Sequence, residues 1–255
     1  MGSDGVCSSL DSVVEIHMKK KCEKNKLCRP DLNIFSTNET PQTRAREPVR
    51  RTSGRVCGKF ASRKMQKMIH WESQLERAAV LLFEYSPGIA AYREQPIKIH
   101  YTLDGKTRRY TPDFELTLRT GEIQYIEVKP LVRAQEPVEA RRLERIREYF
   151  YSDGYTYRVI TEADIQKPQL LENLNICSRY HCEVLTALER RIWKERFSGP
   201  PCFTFAEASR IAGSASNTWN LLAQGVITCD LHQPVNDLTL VILAKEGDQD
   251  AKFHI

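Results

Sequence analysis

The sequence contains no Cys-x-x-Cys pair and no long apolar run. Its eight cysteines are scattered over 255 residues, and their spacings differ from those of zinc sites. A zinc finger or ribbon is therefore not expected, and the cysteines are predicted to be reduced thiols. No stretch approaches the roughly 20 apolar residues of a membrane-spanning helix, so neither a membrane span nor a membrane partner is expected.

An apolar signal-peptide core is also missing from the N-terminus, because charged residues recur from Glu15 to Lys26. We therefore expect a cytoplasmic location. Charged residues make up 28% of the chain and hydrophobic residues 41%, as in a soluble globular protein. The length allows one or two domains, each with a sizeable core.

Acidic residues are scarce in the first part of the chain. Residues 1–70 contain 15 Lys and Arg but only 7 Asp and Glu, although the net charge of the whole chain is only +5. This imbalance suggests that the segment binds a polyanionic partner. The alternative is that it is a disordered N-terminal segment whose charges are simply solvated. Residues 1–54 are predicted to form a basic, largely flexible arm. The candidate DNA contacts that follow this arm are Arg55, Lys59, Arg63, Lys64 and Lys67.

The most informative stretch is Tyr110–Pro130, which is typical of two β-strands joined by a turn at Thr120-Gly121. Side chains alternate between the two faces of a strand, so Glu127 and Lys129 share one face of the second strand. If the two strands pair, Asp113 reaches the same place. This arrangement is the PD-(x)n-(D/E)-x-K pattern of metal-dependent nucleases, and a surface hairpin with chance charges is the alternative.

The pattern has a chemical reason. Two carboxylates that converge on one point ionise at low cost only when a cation lies between them. Mg²⁺ prefers carboxylates together with water and phosphate oxygens, and a lysine beside the ion can orient a water and stabilise charge on a phosphate.

Residues 55–167 are predicted to form the domain around this strand pair. A helix is expected over His70–Tyr85, with Trp71 on its apolar stripe and both Glu72 and Glu76 on one side. Three antiparallel strands are expected to form a meander: Ala91–Thr102, Arg108–Leu118 and Glu122–Val128.

An amphipathic helix over Pro137–Ser152 is expected next, followed by a strand over Tyr155–Thr161 that lies parallel to a hairpin strand after this crossover. The helix has one set of side chains predicted to face inward and one set predicted to face largely outward. The first set is Val138, Leu143, Ile146 and Phe150, and the second is Arg141, Arg142, Arg145 and Arg147.

Residues 168–255 carry predicted elements in the order helix, helix, turn, helix and β-hairpin, which is typical of a winged helix-turn-helix. Capping signals are Thr204 with Glu207, and Ser214. However, Ile211–Ala244 contains no Lys or Arg, and phosphate contacts supply most of the affinity for nucleic acid. Docking onto a partner protein is therefore favoured over DNA reading. The basic helix Leu188–Lys194 remains a candidate contact to a DNA backbone.

Four motifs occur in order along the chain, and together they resemble the TnsA family, the endonuclease subunits of heteromeric cut-and-paste transposases. The motifs are Ser73-Gln74-Leu75-Glu76, Arg93-Glu94-Gln95-Pro96, Tyr110-Thr111-Pro112-Asp113-Phe114 and Glu127-Val128-Lys129-Pro130. The resemblance covers about residues 55–165 and continues into the C-terminal part. It implies an α/β restriction-endonuclease-like core of the PD-(D/E)xK superfamily with a C-terminal winged-helix-like α+β domain.

The resemblance also implies roles for individual residues. Glu76 matches the helix glutamate of the family, with Glu72 as its rival, and Asp113 matches the central metal aspartate. Glu127 and Lys129 match the ExK pair, with the Val128 carbonyl as a possible further ligand. One or two Mg²⁺ or Mn²⁺ ions per site are implied, together with hydrolysis of a phosphodiester at the 5′ ends of a transposon.

The implied partners are transposon-end DNA, a DDE-type transposase subunit and an AAA+ regulator, with two or more copies in the assembled complex. Two other hypotheses remain open. The first is a free-standing restriction or repair nuclease, which needs a specificity determinant of its own. The second is a nonenzymatic assembly adaptor, which has no need of the set Glu76, Asp113, Glu127 and Lys129.

Overall fold

A computed structural model describes residues 56–182 and 184–244. All of these residues fall within one compact unit. The predicted basic arm at residues 1–54 and the candidate DNA contact Arg55 lie outside the described residues. None of the helices in the described ranges is long and apolar enough to cross a bilayer.

The first part of the described chain is a mixed α/β structure. Its elements in chain order are β1 (Gly58–Ser62), β2 (Lys67–Trp71), α1 (Gln74–Tyr85), β3 (Ile89–Glu94), β4 (Ile99–Leu103), β5 (Lys106–Tyr110), β6 (Phe114–Leu118), β7 (Ile123–Val128), α2 (Leu131–Ala134), α3 (Pro137–Ser152), β8 (Thr156–Ile160) and α4 (Glu162–Ile165). The second part continues with α5 (Pro168–Tyr180), α6 (Ala187–Arg196), β9 (Phe203–Thr204), α7 (Phe205–Ala212), α8 (Ala215–Ala223), β10 (Ile227–Thr228) and β11 (Leu240–Leu243).

A four-stranded sheet with the order β3-β6-β7-β8 forms the centre of the first part. The strands β3, β6 and β7 are antiparallel neighbours, whereas β8 runs parallel to β7. A parallel neighbour requires a crossover connection, and α2 and α3 provide it. The predicted helix over Pro137–Ser152 and the predicted parallel strand are therefore confirmed.

The two faces of the central sheet pack against different helices. Ile126 and Val128 of β7 join a core with Val80 and Phe83 of α1. Tyr125, on the opposite face of β7, joins a second core with residues of α3, namely Leu143, Ile146 and Phe150. Alternation along a single strand therefore separates the side chains that face α1 from those that face α3.

Two predictions for the faces of α3 were wrong. Val138, in the first turn of the helix, is 83% exposed rather than inward. Arg142 is not on the outer face, since its guanidinium lies over the ring of Tyr110, 5.3 Å from the ring centroid. Arg141, Arg145 and Arg147 are exposed as expected.

The predicted three-stranded meander was also wrong. β4 and β5 form a two-stranded sheet of their own, with Ile99 opposite Tyr110 and Leu103 opposite Lys106. The expected single strand Arg108–Leu118 is two strands, β5 and β6, which are separated at Thr111-Pro112-Asp113. Proline lacks the N–H that a ladder needs, so the chain leaves one sheet here and enters the other.

A second hairpin, β1–β2, precedes α1, and the sequence analysis did not predict it. Trp71 belongs to β2 and pairs with Gly58, so its predicted place on the helix was wrong. The helix begins at Gln74, with the side chain of Ser73 accepting from the N–H of Glu76. The turn of the hairpin is held by Glu84, which accepts from the hydroxyl of Ser62 at 2.6 Å and from the N–H of Lys64 at 2.9 Å.

The second part of the chain contains a compact helix pair and a small sheet. α7 ends at Gly213, which has φ of 83°, and α8 begins after the cap Ser214. The sheet has the order β10-β11-β9, and all of its pairs are antiparallel. The helix pair and the β10–β11 hairpin occur in the predicted order, although both hairpin strands are shorter than expected and β9 was not predicted.

The boundary between residues 167 and 168 stays a prediction. α5, which follows it, contributes Leu170 and Leu174 to the same core as Val80 of α1, while Cys177 of the same helix lies in a separate core with Phe205 and Trp219. The five cysteines in the described ranges are free thiols, as predicted; they are Cys57, Cys177, Cys182, Cys202 and Cys229.

Candidate active site

The pairing of β6 with β7 brings Asp113 and Glu127 together. Phe114 lies opposite Ile126, and one further step of this register places Asp113 opposite Glu127. Residues that are directly opposite in an antiparallel pair share a face, with their Cβ atoms about 5 Å apart. The pairing is locked by the main-chain N–H of Val128, which donates to Oδ2 of Asp113 at 2.8 Å.

The environment of Asp113 opposes its ionisation. Burial raises the pKa of this carboxyl well above its ordinary value, and the charges of Glu127 and then Glu76 raise it further. The hydrogen bond from Val128 and the charge of Lys129 act in the opposite direction. A positive charge close to Asp113 would therefore favour its ionised form.

Glu127 is 6% exposed and is held at both of its oxygens. The hydroxyl of Tyr110 donates to Oε2 at 2.6 Å, and the ammonium of Lys129 lies 3.1 Å from Oε1. Tyr110 in turn lies 2.9 Å from the hydroxyl of Tyr157 on β8. Burial, followed by the charge of Glu127, raises the pKa of Tyr110 well above its ordinary value, so this phenol stays protonated and donates.

Lys129 is held between two acids. Its ammonium donates to Oε1 of Glu139 on α3 at 2.6 Å, in addition to its ion pair with Glu127. Burial alone would lower the pKa of Lys129, but the two carboxylates outweigh it and the pKa is raised. Lys129 is therefore fully charged at neutral pH.

Glu139 is itself paired with the guanidinium of Arg142. Burial would raise the pKa of Glu139, yet Lys129 and Arg142 lower it overall. The acid that holds Lys129 is therefore ionised. Because Arg142 also covers the ring of Tyr110, the network joins α3 to both sides of Glu127.

Glu76 approaches the same end of the sheet from the N-terminus of α1. Its Oε2 accepts from the N–H of Glu72 at 2.7 Å, and its Oε1 accepts from the hydroxyl of Ser73 at 3.0 Å. Burial raises the pKa of Glu76, and the charges of Glu72 and Glu127 raise it further against these two hydrogen bonds. Glu76 thus lies within electrostatic reach of Glu127 and Asp113.

The acids are neighbours but are not drawn into one cluster. Among residues 56–182 and 184–244, no three Asp, Glu, His or Cys side chains are gathered as a metal site requires. Both oxygens of Glu76 are turned toward the start of its own helix. The structure therefore brings Asp113, Glu127 and Lys129 together and leaves Glu76 at their edge.

Gln95 connects the two sides of this site. Its main-chain N–H donates to the carbonyl of Asp113 at 2.8 Å, and its Nε2 donates to Oε1 of Glu72 at 3.0 Å. Its φ is 45°, a left-handed conformation that costs about 1–2 kcal/mol for a residue other than glycine. Glu72, the rival candidate, is engaged by Gln95, and Glu76 is engaged at both of its oxygens, so the choice of Glu76 over Glu72 stays a prediction.

Asp113 and Glu127 alone supply two carboxylates of the kind that a hard divalent cation prefers. Asp113 and Glu127 are buried carboxylates on one face, and a cation between them would relieve the repulsion that raises the pKa of Asp113. Within the described part of the chain, no donor is recorded for Oδ1 of Asp113. This oxygen is available to a ligand, whereas Oδ2 is occupied by the N–H of Val128.

The candidate DNA contacts lie on the β1–β2 hairpin. Lys59, Arg63 and Lys67 are exposed, and their role stays a prediction. The ammonium of Lys64 donates to the carbonyls of Phe83, Ser86 and Ile89 at 2.7–3.0 Å. Lys64 therefore binds the C-terminal end of α1, which weakens the case for a phosphate contact.

Sequence reasoning missed Tyr110, Tyr157, Glu139 and Arg142 as parts of the site. Tyr110 directly precedes the Thr-Pro-Asp segment, and this proximity in sequence was the available signal. Glu139 and Arg142 are one helical turn apart on α3, so their pairing was predictable from spacing. Their contact with Lys129 depends on the rotation of α3 over the sheet, which no local pattern gives.

A mixed sheet flanked by helices, with Asp113 and Glu-x-Lys at the ends of two adjacent strands, is consistent with the restriction-endonuclease-like α/β class. Residues 86–162 match the family model described as TnsA-like endonuclease N terminal. The match supports the assignment of the chain to the TnsA family. It includes Asp113, Glu127 and Lys129 but begins after Glu76. A comparison with curated proteins gave no significant match.

Proposed function

We propose that this protein is the metal-dependent DNA endonuclease subunit of a heteromeric transposase and cuts the 5′ ends of a transposon. The observation that carries the proposal is the pairing of Asp113 with Glu127, with Lys129 held beside them. The match to a TnsA-like endonuclease domain supports the choice of substrate class.

Asp113 and Glu127 would hold one or two Mg²⁺ or Mn²⁺ ions, with Glu76 and the Val128 carbonyl as further ligands. When bound, the metal lowers the pKa of a water and neutralises charge on the attacking and leaving oxygens of the phosphodiester. The protein holds the two carboxylates in position. Tyr110 fixes one oxygen of Glu127, and the Val128 N–H fixes one oxygen of Asp113.

Lys129 would orient the attacking water and stabilise the negative charge that develops on the phosphate. Its raised pKa keeps it protonated, so it acts as a cation and a hydrogen-bond donor and does not remove a proton. Glu139 fixes the ammonium in place. A donor that is already positioned needs little rearrangement during the reaction, which is what makes it effective.

The C-terminal part is proposed to dock onto a partner protein, with a DDE-type transposase and an AAA+ regulator as the partners and two or more copies in the complex. Ile211–Ala244 lacks Lys and Arg. On the wing strand and its approach, Leu238, Leu240 and Ile242 are 80%, 60% and 37% exposed. An apolar outer face without cations is better suited to a protein surface than to a phosphate backbone.

A strand-cleavage assay tests the proposal. Transposon-end DNA is incubated with Mg²⁺ and the full chain, alone and together with its transposase and regulator subunits, and the 5′-end cuts are mapped. We expect the wild type to cut within the assembly and Asp113→Asn to lose cleavage. Asp153→Asn, an exposed acid at the end of α3, is the matched control and should cut normally.

Two results would contradict the proposal in different ways. Cutting of arbitrary DNA by the purified chain alone would favour a free-standing restriction or repair nuclease. Absence of cutting in every assembly, with the complex still formed, would favour a nonenzymatic adaptor. Circular dichroism of each variant excludes unfolding as the cause of a lost activity.

A further inference from the structure

The β4–β5 hairpin, residues 99–110, and the residue before it carry a set of cations without partners. Lys98, Lys106, Arg108 and Arg109 are all exposed. In the described ranges, none of the four has a recorded ion pair or side-chain hydrogen bond. The acid of the hairpin turn, Asp104, is already engaged by Arg141 at 2.6 Å. The hairpin therefore presents positive charge that nothing in the described structure neutralises.

The arginines of the adjacent helix α3 behave differently. Arg142 is paired with Glu139, Arg145 with Glu148 and Arg147 with Glu144. Both groups lie on the same side of the molecule, since α3 packs on β4. The contrast places the available positive charge on the hairpin and not on the helix.

The hairpin is a rigid platform with one apolar face and one polar face. Ile99, Tyr101 and Leu103 are buried in the core beneath α3, which anchors the hairpin. The opposite face carries two cross-strand pairs, His100 with Arg109 and Thr102 with Thr107. Arginine and threonine side chains are common donors to phosphate oxygens. Arg108, which lies opposite Tyr101, belongs to the other face, and Glu148 of α3 lies beside His100 and Thr102.

The platform leads directly into the candidate active site. Tyr110, the residue after Arg109, donates to Glu127, and Asp113 is only four residues beyond Arg109. Four residues span at most about 14 Å. One DNA segment can therefore contact the hairpin and the acids at the same time.

We propose that the β4–β5 hairpin binds the phosphate backbone of the DNA and holds the duplex against Asp113 and Glu127. This inference rests on the proposed nuclease function and names the surface that it uses. The DNA contacts predicted for Lys59, Arg63 and Lys67 on the β1–β2 hairpin remain a separate prediction. Contacts of this kind fix the position of the DNA and carry no sequence preference.

The affinity of the full chain for a labelled DNA duplex tests these phosphate contacts, and EDTA is added to prevent cutting. Fluorescence anisotropy over a salt series gives the dependence of affinity on salt. For Lys98→Gln/Arg109→Gln, which removes two cations on the face of His100, we expect roughly tenfold weaker binding and a salt slope reduced by about two, since each phosphate contact contributes about 0.9. In the assembly, the single-turnover cleavage rate of this double variant should be reduced to the same extent at low DNA concentration. It should return to the wild-type rate when DNA is saturating.

Arg133→Gln/Arg147→Gln is the matched control. Both arginines are exposed and paired with a glutamate one turn away, and Arg133 is as close to Lys129 in sequence as Arg109 is to Asp113. The same two charges are removed, so a general charge effect would appear equally in both double variants. We expect the control to keep the wild-type salt slope.

The outcomes separate this inference from the proposed function. If the wild type binds and cuts but both double variants behave alike, the hairpin assignment is wrong and the nuclease stands. The assignment is also wrong if the hairpin variant loses a protein partner while its DNA affinity is unchanged, or if it only aggregates, because charges on an edge strand also prevent strand pairing. If the wild type neither binds nor cuts DNA in any assembly, the proposed function fails first.

Discussion

The ammonium of Lys129 lies 2.6 Å from Oε1 of Glu139 and 3.1 Å from Oε1 of Glu127. The nearer partner belongs to the crossover helix α3 and not to the strand that carries the lysine. The position of the proposed catalytic cation therefore depends on how α3 packs over the sheet. This relationship gives Glu139 a positioning role that can be measured.

Glu139→Gln keeps the length of the side chain and one acceptor oxygen but removes the charge. A charge-assisted hydrogen bond is worth about 1.5–3 kcal/mol, so we expect single-turnover cleavage to slow by roughly tenfold with DNA affinity nearly unchanged. Glu136→Gln, which breaks an exposed pair with Arg133, should have no such effect. Wild-type or faster cleavage by Glu139→Gln would rule out the positioning role.

Tyr110→Phe removes the donor to Oε2 of Glu127 and leaves a buried carboxylate oxygen with less hydrogen bonding. We expect a loss of about 1–3 kcal/mol in the free energy of unfolding, together with slower cleavage. Urea denaturation and cleavage rates measured on the same preparation check both effects.

Tyr157→Phe is the control for Tyr110→Phe, because Tyr157 is recorded bonding to the hydroxyl of Tyr110 and not to Glu127. Tyr157→Phe should therefore slow cleavage less than Tyr110→Phe does. Equal losses of cleavage in the two variants would mean that the tyrosine pair acts through packing and not through Glu127.

Lys64 gives the fold a specific pH dependence. Burial lowers the pKa of Lys64 from 10.5 to about 8, partly offset by the charge of Glu84. The unfolded chain therefore holds this proton more tightly than the folded chain between pH 8 and 10.5, so the contribution of Lys64 to stability increases as pH rises through that window. From pH 7 to pH 9.5 we expect a gain of about 1–2 kcal/mol for the wild type relative to Lys64→Met.

Urea denaturation at several pH values checks the contribution of Lys64. Lys67→Met, an exposed lysine of the same hairpin, is the control and should follow the wild-type pH profile. Parallel profiles for wild type and Lys64→Met would show that Lys64 titrates alike in the folded and unfolded chains.

Gly58→Ala tests the packing of the β1–β2 hairpin. A Cβ atom at Gly58 would overlap the indole ring of Trp71, which pairs with Gly58 across the two strands. Overpacking of this kind costs about 1–3 kcal/mol, measurable as a lower midpoint in urea. At Gly199 an added Cβ meets nothing within 4 Å, so Gly199→Ala should leave the midpoint nearly unchanged.

The sequence was sufficient to predict the parts of the site that are close together along the chain. Asp113 and Glu127 lie on adjacent strands joined by a short turn, so strand alternation placed them together. The capping pairs Thr204 with Glu207 and Ser214 with the start of α8 were also confirmed, because caps depend only on neighbouring residues.

Features that depend on tertiary packing were not predictable from local patterns. The separation of β4–β5 from the central sheet follows from the break at Pro112, which the alternation of the flanking residues concealed. The β1–β2 hairpin was hidden by its basic composition, although Phe60 and Ile69 face each other across it. The contact of Glu139 with Lys129 requires the orientation of α3, which is set by Leu143, Ile146 and Phe150 against the sheet.

The parallel pairing of β7 with β8 has a consequence for the timing of activity during synthesis. The N–H of Lys129 donates to the carbonyl of Ile160 at 3.0 Å, so the lysine is secured by a strand that the ribosome makes about 30 residues later. A nascent chain that ends before Ile160 has the acids but lacks the neighbour that completes the sheet beside them. If the protein is the proposed nuclease, we expect cleavage to be possible only after the crossover has folded.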